Sequence, residues 1–144
     1  MTALDDWVAN GWLVRHQAAP GETRDLLAAA RSDLADARKD VSPGWQFAIA
    51  YNAALRLCTV TLQAAGYRAT RDQKHYRTIA ALPLVIGDEA GELAHFIDHS
   101  RTRRHEVTYD AFSGVSPSEA KELIKAAGEL DRLVRAWLRT RPTP

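Results

Sequence analysis

The residues best suited to chemistry stand together near the end of one helical stretch: Arg101, Arg103, Arg104, His105 and Tyr109. A guanidinium presents a fixed fork of donors to phosphate or carboxylate oxygens, an imidazole exchanges protons near neutral pH, and a phenol donates a hydrogen bond. Arg104 is the unusual member. With Leu93 as origin and an advance of about 100° per residue, Leu93, Phe96, Ile97, Ser100 and Val107 share one stripe, and Arg104 projects about 20° from Leu93. An arginine there is either buried against a partner or lines a cleft, because an unpaired guanidinium away from water costs several kcal/mol.

Three chemistries compete for this region. The structural one is an ion pair inside the fold, for which Asp98, Glu106, Asp110 and the aspartates of the first long helix are available. The second is a metal site: His95 and His99 lie four apart, hence on one helical face, with Asp98 beside them. The glutamate of a metalloprotease helix is absent, since Phe96, Ile97 and Asp98 stand between the histidines. A third ligand would require His75 or His105 to fold close, so solvent-facing histidines are expected, with no metal and no cofactor. The third is an RNA-directed site, in which Arg101, Arg103 and Arg104 hold phosphate.

These residues need a scaffold, and the sequence describes a helical one. Leu26, Leu27, Ala30, Leu34 and Ala37 repeat at helical spacing over residues 23–39, after a break at Pro20 and Gly21. Leu4, Trp7, Val8 and Trp12 suggest a short N-terminal helix or arm. Ser42 before Pro43 opens a helix running to about residue 65, and Gly66 ends it. That helix is apolar on most sides, as expected of a central one. Its polar strip of Asn52, Arg56, Thr59 and Gln63 faces solvent or a polar cavity.

A polar, basic stretch over 67–74 precedes a short apolar helix over 75–86, with Pro83 near its end and Gly87 as its stop. The arginine helix follows over 89–109, then a turn of Phe112, Ser113 and Gly114. Ser116-Pro117-Ser118-Glu119 combines an N-cap serine, a first-turn proline and a capping-box glutamate. From there Leu123, Ala127, Leu130, Val134 and Trp137 carry a long helix to about residue 139. Strand signals are nearly absent. The expected fold is all-α, a four-helix up-and-down bundle with a short N-terminal helix and a short linking helix.

With 144 residues and 46% hydrophobic content the chain suits one domain spanning 1–144. No apolar run approaches a membrane span, and the start lacks the succession of a signal peptide, so a cytoplasmic protein without membrane association is expected. Cys58, the single cysteine, sits in an apolar helical run and reads as core filler. The net charge of +1 excludes a protein that coats nucleic acid through bulk charge. Its distribution is uneven: Arg68, Arg71, Lys74 and Arg77 face only Asp72 in one stretch, and Arg101, Arg103 and Arg104 form a second cluster.

The run Arg103-Arg104-His105-Glu106-Val107-Thr108-Tyr109-Asp110 resembles the signature of HEPN domains, where arginine is followed by a small polar residue and, a few positions later, by histidine. The likeness extends to Asp33-Leu34-Ala35-Asp36-Ala37, to Tyr51-Asn52-Ala53-Ala54-Leu55, to Ala64-Ala65-Gly66-Tyr67-Arg68 and to the closing helix. It implies a compact helical bundle, commonly a homodimer with both arginine motifs lining a shared cleft. It also implies RNA or a nucleotide as ligand, and a cognate antitoxin or nucleotidyltransferase as partner in a toxin–antitoxin or defence setting. Several such families are metal-independent ribonucleases. Carried over, Arg104 takes the phosphate-stabilising role and His105 the adjacent polar one, but Tyr109 occupies the histidine position. An unperturbed tyrosine is ionised only about one part in a thousand at neutral pH, which makes it a poor general base. His105 has a suitable pKa, yet on a continuing helix it points about 100° away from Arg104. Binding is therefore expected ahead of cleavage; the catalytic alternative is an endoribonuclease using Arg104, His105 and Tyr109, and a metal-dependent hydrolase is a distant third.

Overall fold

A computed structural model describes the backbone of residues 2–109 and 114–141, and side chains over 2–104 and 114–141. The chain is mostly helical. In order come α1 (Ala3–Ala9), β1 (Leu13–Arg15), α2 (Glu22–Ala37), α3 (Pro43–Ala64), β2 (Tyr67–Ala69), α4 (Lys74–Ala80), α5 (Leu82–Ile86), a 3-10 turn at Asp88–Ala90, α6 (Gly91–Tyr109) and α7 (Pro117–Thr140).

α3 is the hub because its sequence is apolar nearly all round. Phe47, Ala50, Tyr51, Ala53, Ala54, Leu57, Cys58 and Val60 are all buried. α2 and α7 pack along it, while α4, α5 and α6 cover its remaining side. Ala30 and Ala37 of α2, with Ala50, Ala53 and Ala54, keep this core free of long side chains at those positions. α7 turns Leu123, Ala127, Leu130 and Val134 inward, as its three-four spacing predicts. Cys58 is fully buried, and loss of hydration pushes its thiol pKa up to about 12.

The polar strip of α3 divides between partners. Arg56 Nη1 donates to Asp33 Oδ2 at 2.7 Å, and Thr59 Oγ1 donates to its own helix at the Leu55 carbonyl. Gln63 Nε2 donates to Glu22 Oε1 at 3.3 Å. Gln63 also lines a cavity of about 920 Å³ bounded by His16, Pro20, Leu138 and Arg141.

Two local expectations are corrected. Leu13–Arg15 and Tyr67–Ala69 form an antiparallel ribbon, pairing Leu13 with Ala69 and Arg15 with Tyr67. Leu13, Tyr67 and Ala69 turn inward with Leu62 and Ala81, giving a second small core beneath Trp7 of α1. Strands of three residues are too short for alternation to register as a pattern, and their pairing is remote in sequence. The expected single helix over 75–86 is two helices that meet at Ala81. Pro83, in the first turn of α5, has no N–H to offer the carbonyl of Ile79, so the first helix stops and a new one begins.

α6 buries Ala94, Ile97 and Ser100 and leaves Glu92, His95 and His99 exposed. Arg104 projects about 20° from Ile97, and Arg101 about 40° on its other side, so the inner stripe of this helix ends in two arginines.

Candidate functional site

The loop into α4 brings the first basic cluster to the second. Arg71, Gln73, Lys74, His75 and Tyr76 from that loop and helix face Arg101 of α6 across a cleft of about 460 Å³. Gln73 holds the corner: at φ 53°, ψ 36° it is the non-glycine residue in the left-handed region among those described. That conformation costs about 1 kcal/mol or more. Its carbonyl starts α4 by accepting from Arg77 N–H at 3.0 Å, and the tight corner sets Lys74, His75 and Tyr76 against α6.

Arg101 is anchored at two points. Its Nε donates to Asp98 Oδ1 at 2.8 Å, and its guanidinium carbon lies 5.6 Å from the centroid of the Tyr76 ring. Among the described residues no acceptor takes its Nη hydrogens. Arg104 stands one turn further along α6, with its guanidinium 5.4 Å from the centroid of the Tyr51 ring. Tyr51 is almost wholly buried, and its hydroxyl has no hydrogen-bond partner among the described residues. Burial pushes its pKa up to about 12 although the positive charges of Arg101 and Arg104 work against the rise.

His75 feels the same charges. Partial loss of hydration, then Lys74, Arg104 and Arg101, lower the pKa of its imidazole from the ordinary histidine value. The cleft thus combines three cationic side chains with an imidazole whose pKa is lowered.

Not every basic residue of the two clusters belongs here. Arg77 is turned to structure: it lies 4.6 Å from the Trp12 ring centroid and 4.0 Å from Asp72, and is mostly covered. Arg68 faces outward from β2. Arg103 ties α6 to the start of α7, its Nε donating to Glu119 Oε2 at 2.9 Å and its Nη2 to the Gly114 carbonyl at 2.7 Å. The arginine side chain pulls the Glu119 carboxyl below its ordinary pKa.

Several carboxylates named for Arg104 are engaged elsewhere: Asp98 with Arg101, Asp33 with Arg56 and Asp36 with Lys39. The side chains of Glu106, His105 and Tyr109, and all of Asp110, lie outside the described residues, as do Phe112 and Ser113 of the expected turn. Among the described residues no three His, Cys, Asp or Glu side chains gather as a metal site, and Asp98, between His95 and His99, is taken by Arg101.

His75, Tyr76 and the Arg71–Lys74 corner were not legible as site residues. Their signal was present as a basic run interrupted by two aromatic rings, but nothing local says that this run meets α6. No helix among the described residues is long and apolar enough to cross a membrane. No family model, curated protein or solved structure matches the chain.

Proposed function

We propose that this chain is a HEPN-like module that binds RNA or a nucleotide through the cleft between α4 and α6, with its four long helices arranged as an up-and-down bundle. The observation that carries the reading is the convergence of Arg71, Lys74 and Arg101 on one cleft that His75 also lines. Phosphate is the anion that suits such a group, because several donors from separate elements can share its oxygens. Arg104, stacked on Tyr51, adds positive charge and stiffens the arginine end of α6. Two such clefts brought together in a homodimer would offer a longer track for one strand, and a cognate antitoxin or nucleotidyltransferase is the partner the resemblance implies.

Anisotropy of a short labelled RNA tests the reading. Arg101→Ala is expected to weaken binding roughly tenfold or more, the worth of a charge-assisted contact. Arg31→Ala removes the same charge from α2, outside the cleft, and is expected to bind as the parent does. Equal affinity in the parent and Arg101→Ala, or no binding by either, rejects the site.

The place of His75 in the cleft with Arg101, its pKa lowered by partial loss of hydration and by the charges of Lys74, Arg104 and Arg101, favours a second reading, a metal-independent endoribonuclease. An unprotonated imidazole can accept the proton of a 2′-hydroxyl as its oxygen bonds to phosphorus; the bond from phosphorus to the 5′-oxygen breaks, that oxygen takes a proton from the imidazolium or from water, and arginine steadies the crowded phosphate. Chelator-resistant cleavage lost in both His75→Ala and Arg104→Ala would support it; cleavage unchanged in His75→Ala would exclude that residue as the base.

A further inference from the structure

Tyr76 offers the cleft an aromatic surface. It is 41% exposed and lines the cleft beside Arg71, Lys74 and His75. Its orientation is nonetheless fixed, because the guanidinium of Arg101 lies over the ring, 5.6 Å from the centroid, and is itself held by Asp98. An accessible aromatic ring gives a flat ligand a surface on which to stack. The groups around it are cations suited to phosphate. Phosphate donors and an open aromatic surface in one cleft match a nucleoside phosphate, in which the charged group and the flat ring are joined by a sugar.

We propose that Tyr76 is a stacking platform for an unpaired nucleobase, so that the cleft takes a phosphate together with its adjoining base. This rests on the phosphate-binding reading above and narrows it. A duplex keeps its bases stacked internally and offers only its backbone; a bare polyanion offers no ring. Neither can use Tyr76. Single-stranded nucleic acid and a free nucleotide both can, and Arg101 serves either one twice, by its charge towards phosphate and by fixing the platform.

The test is binding of a short labelled RNA single strand, with competition by the corresponding blunt duplex, by adenosine monophosphate and by pyrophosphate. Tyr76→Ala is expected to weaken the single strand roughly five- to a hundredfold, the range for loss of one aromatic–base stack, and to leave pyrophosphate competition unchanged. Tyr76→Phe is expected to retain parent affinity, since stacking needs the ring and not the hydroxyl. Tyr76→Trp is expected to show quenching on binding beyond that of the parent protein. Duplex is expected to compete less well than single strand. Adenosine monophosphate matching the oligomer would assign a free nucleotide, and much weaker competition would assign a strand. Unchanged affinity in Tyr76→Ala while Arg101→Ala still loses binding overturns the platform and leaves phosphate binding intact. Absence of RNA and pyrophosphate binding by the parent overturns both.

Discussion

The guanidinium of Arg104 lies 5.4 Å from the ring centroid of Tyr51, so the end of α6 is seated on the central helix through an aromatic face. Such a contact attracts through the negative face of the ring and contributes about 0.5–2 kcal/mol, more as water is excluded. It also helps an arginine to occupy the inner stripe of α6, since its planar head lies over an aromatic ring.

Removing the Tyr51 hydroxyl therefore separates two roles. Tyr51→Phe keeps the ring under Arg104 and deletes a buried oxygen that lacks a hydrogen-bond partner among the described residues. Thermal unfolding is expected to be unchanged or stabilised by up to about 1 kcal/mol, because an unsatisfied buried hydroxyl is itself a cost. Tyr51→Leu is expected to lose about 2–4 kcal/mol through lost packing and the lost contact between ring and guanidinium. A loss of more than about 1 kcal/mol in Tyr51→Phe would mean that the hydroxyl is bonded.

Ligand binding should strengthen as pH falls. His75 is held below its ordinary pKa in the free protein by lost hydration and by Lys74, Arg104 and Arg101. A bound anion offsets those charges and raises the pKa, so binding takes up a proton and affinity rises as pH is lowered from above the ordinary histidine range through it. The free protein behaves oppositely: a depressed folded pKa contributes stability present above the unfolded value and lost as pH falls through the folded one. His75→Asn is expected to flatten the pH dependence of RNA affinity. Parallel pH profiles for parent and variant would remove His75 from the cleft chemistry.

The start of α7 is fastened by short-range devices that respond separately. Ser116 Oγ accepts from Glu119 N–H at 3.1 Å, and Glu119 Oε1 accepts from Ser116 N–H at 3.3 Å. Ser116→Ala is expected to cost about 1 kcal/mol in denaturant unfolding. The Arg103–Glu119 bridge is partly exposed, so Arg103→Ala is expected to cost less than about 1 kcal/mol after solvent screening. The lowered Glu119 pKa contributes stability present above the ordinary glutamate pKa and lost as pH falls through the folded value. Arg103→Ala should diminish that acid-side loss; an unchanged acid limb would show that the bridge adds nothing.

Cys58 should be inert while the protein is folded. Its thiol is fully buried with its pKa pushed up to about 12, so a thiol reagent is expected to react only on unfolding. Because the folded pKa lies above the unfolded one, this group contributes stability that is complete below the unfolded value and lost as pH rises towards 12. Rapid labelling of native protein at neutral pH would contradict the burial.

Elements with strong local punctuation were legible from residues alone. The capping box at Ser116, the Ser42-Pro43 start and the Gly66 stop each act within a few residues, so α3 and α7 fall close to their expected limits. The Leu13–Arg15 ribbon was not legible, because each strand has three residues and gains its stability only from a partner beyond α3. The division at Ala81 was hidden for a different reason: the apolar spacing continues across it while the hydrogen bonding does not. The candidate site was half legible. Arg101 and Arg104 stood out by their positions on α6, but the cleft needs the Gln73 corner, whose left-handed backbone no pattern of residue types announces. Arg103, from the same basic run, turns instead to Glu119 because it lies about 100° from Arg104 around the helix.

The salt dependence of RNA binding tests the central claim most directly. Each phosphate neutralised on a single strand contributes about 0.7 to the slope of log affinity against log salt. Lys74→Ala combined with Arg101→Ala is predicted to bind more weakly and with a slope shallower by about 1 to 1.5, whereas Arg31→Ala keeps the parent slope. A double variant with the parent's affinity and slope, or an equal change in Arg31→Ala, would contradict a phosphate site between α4 and α6.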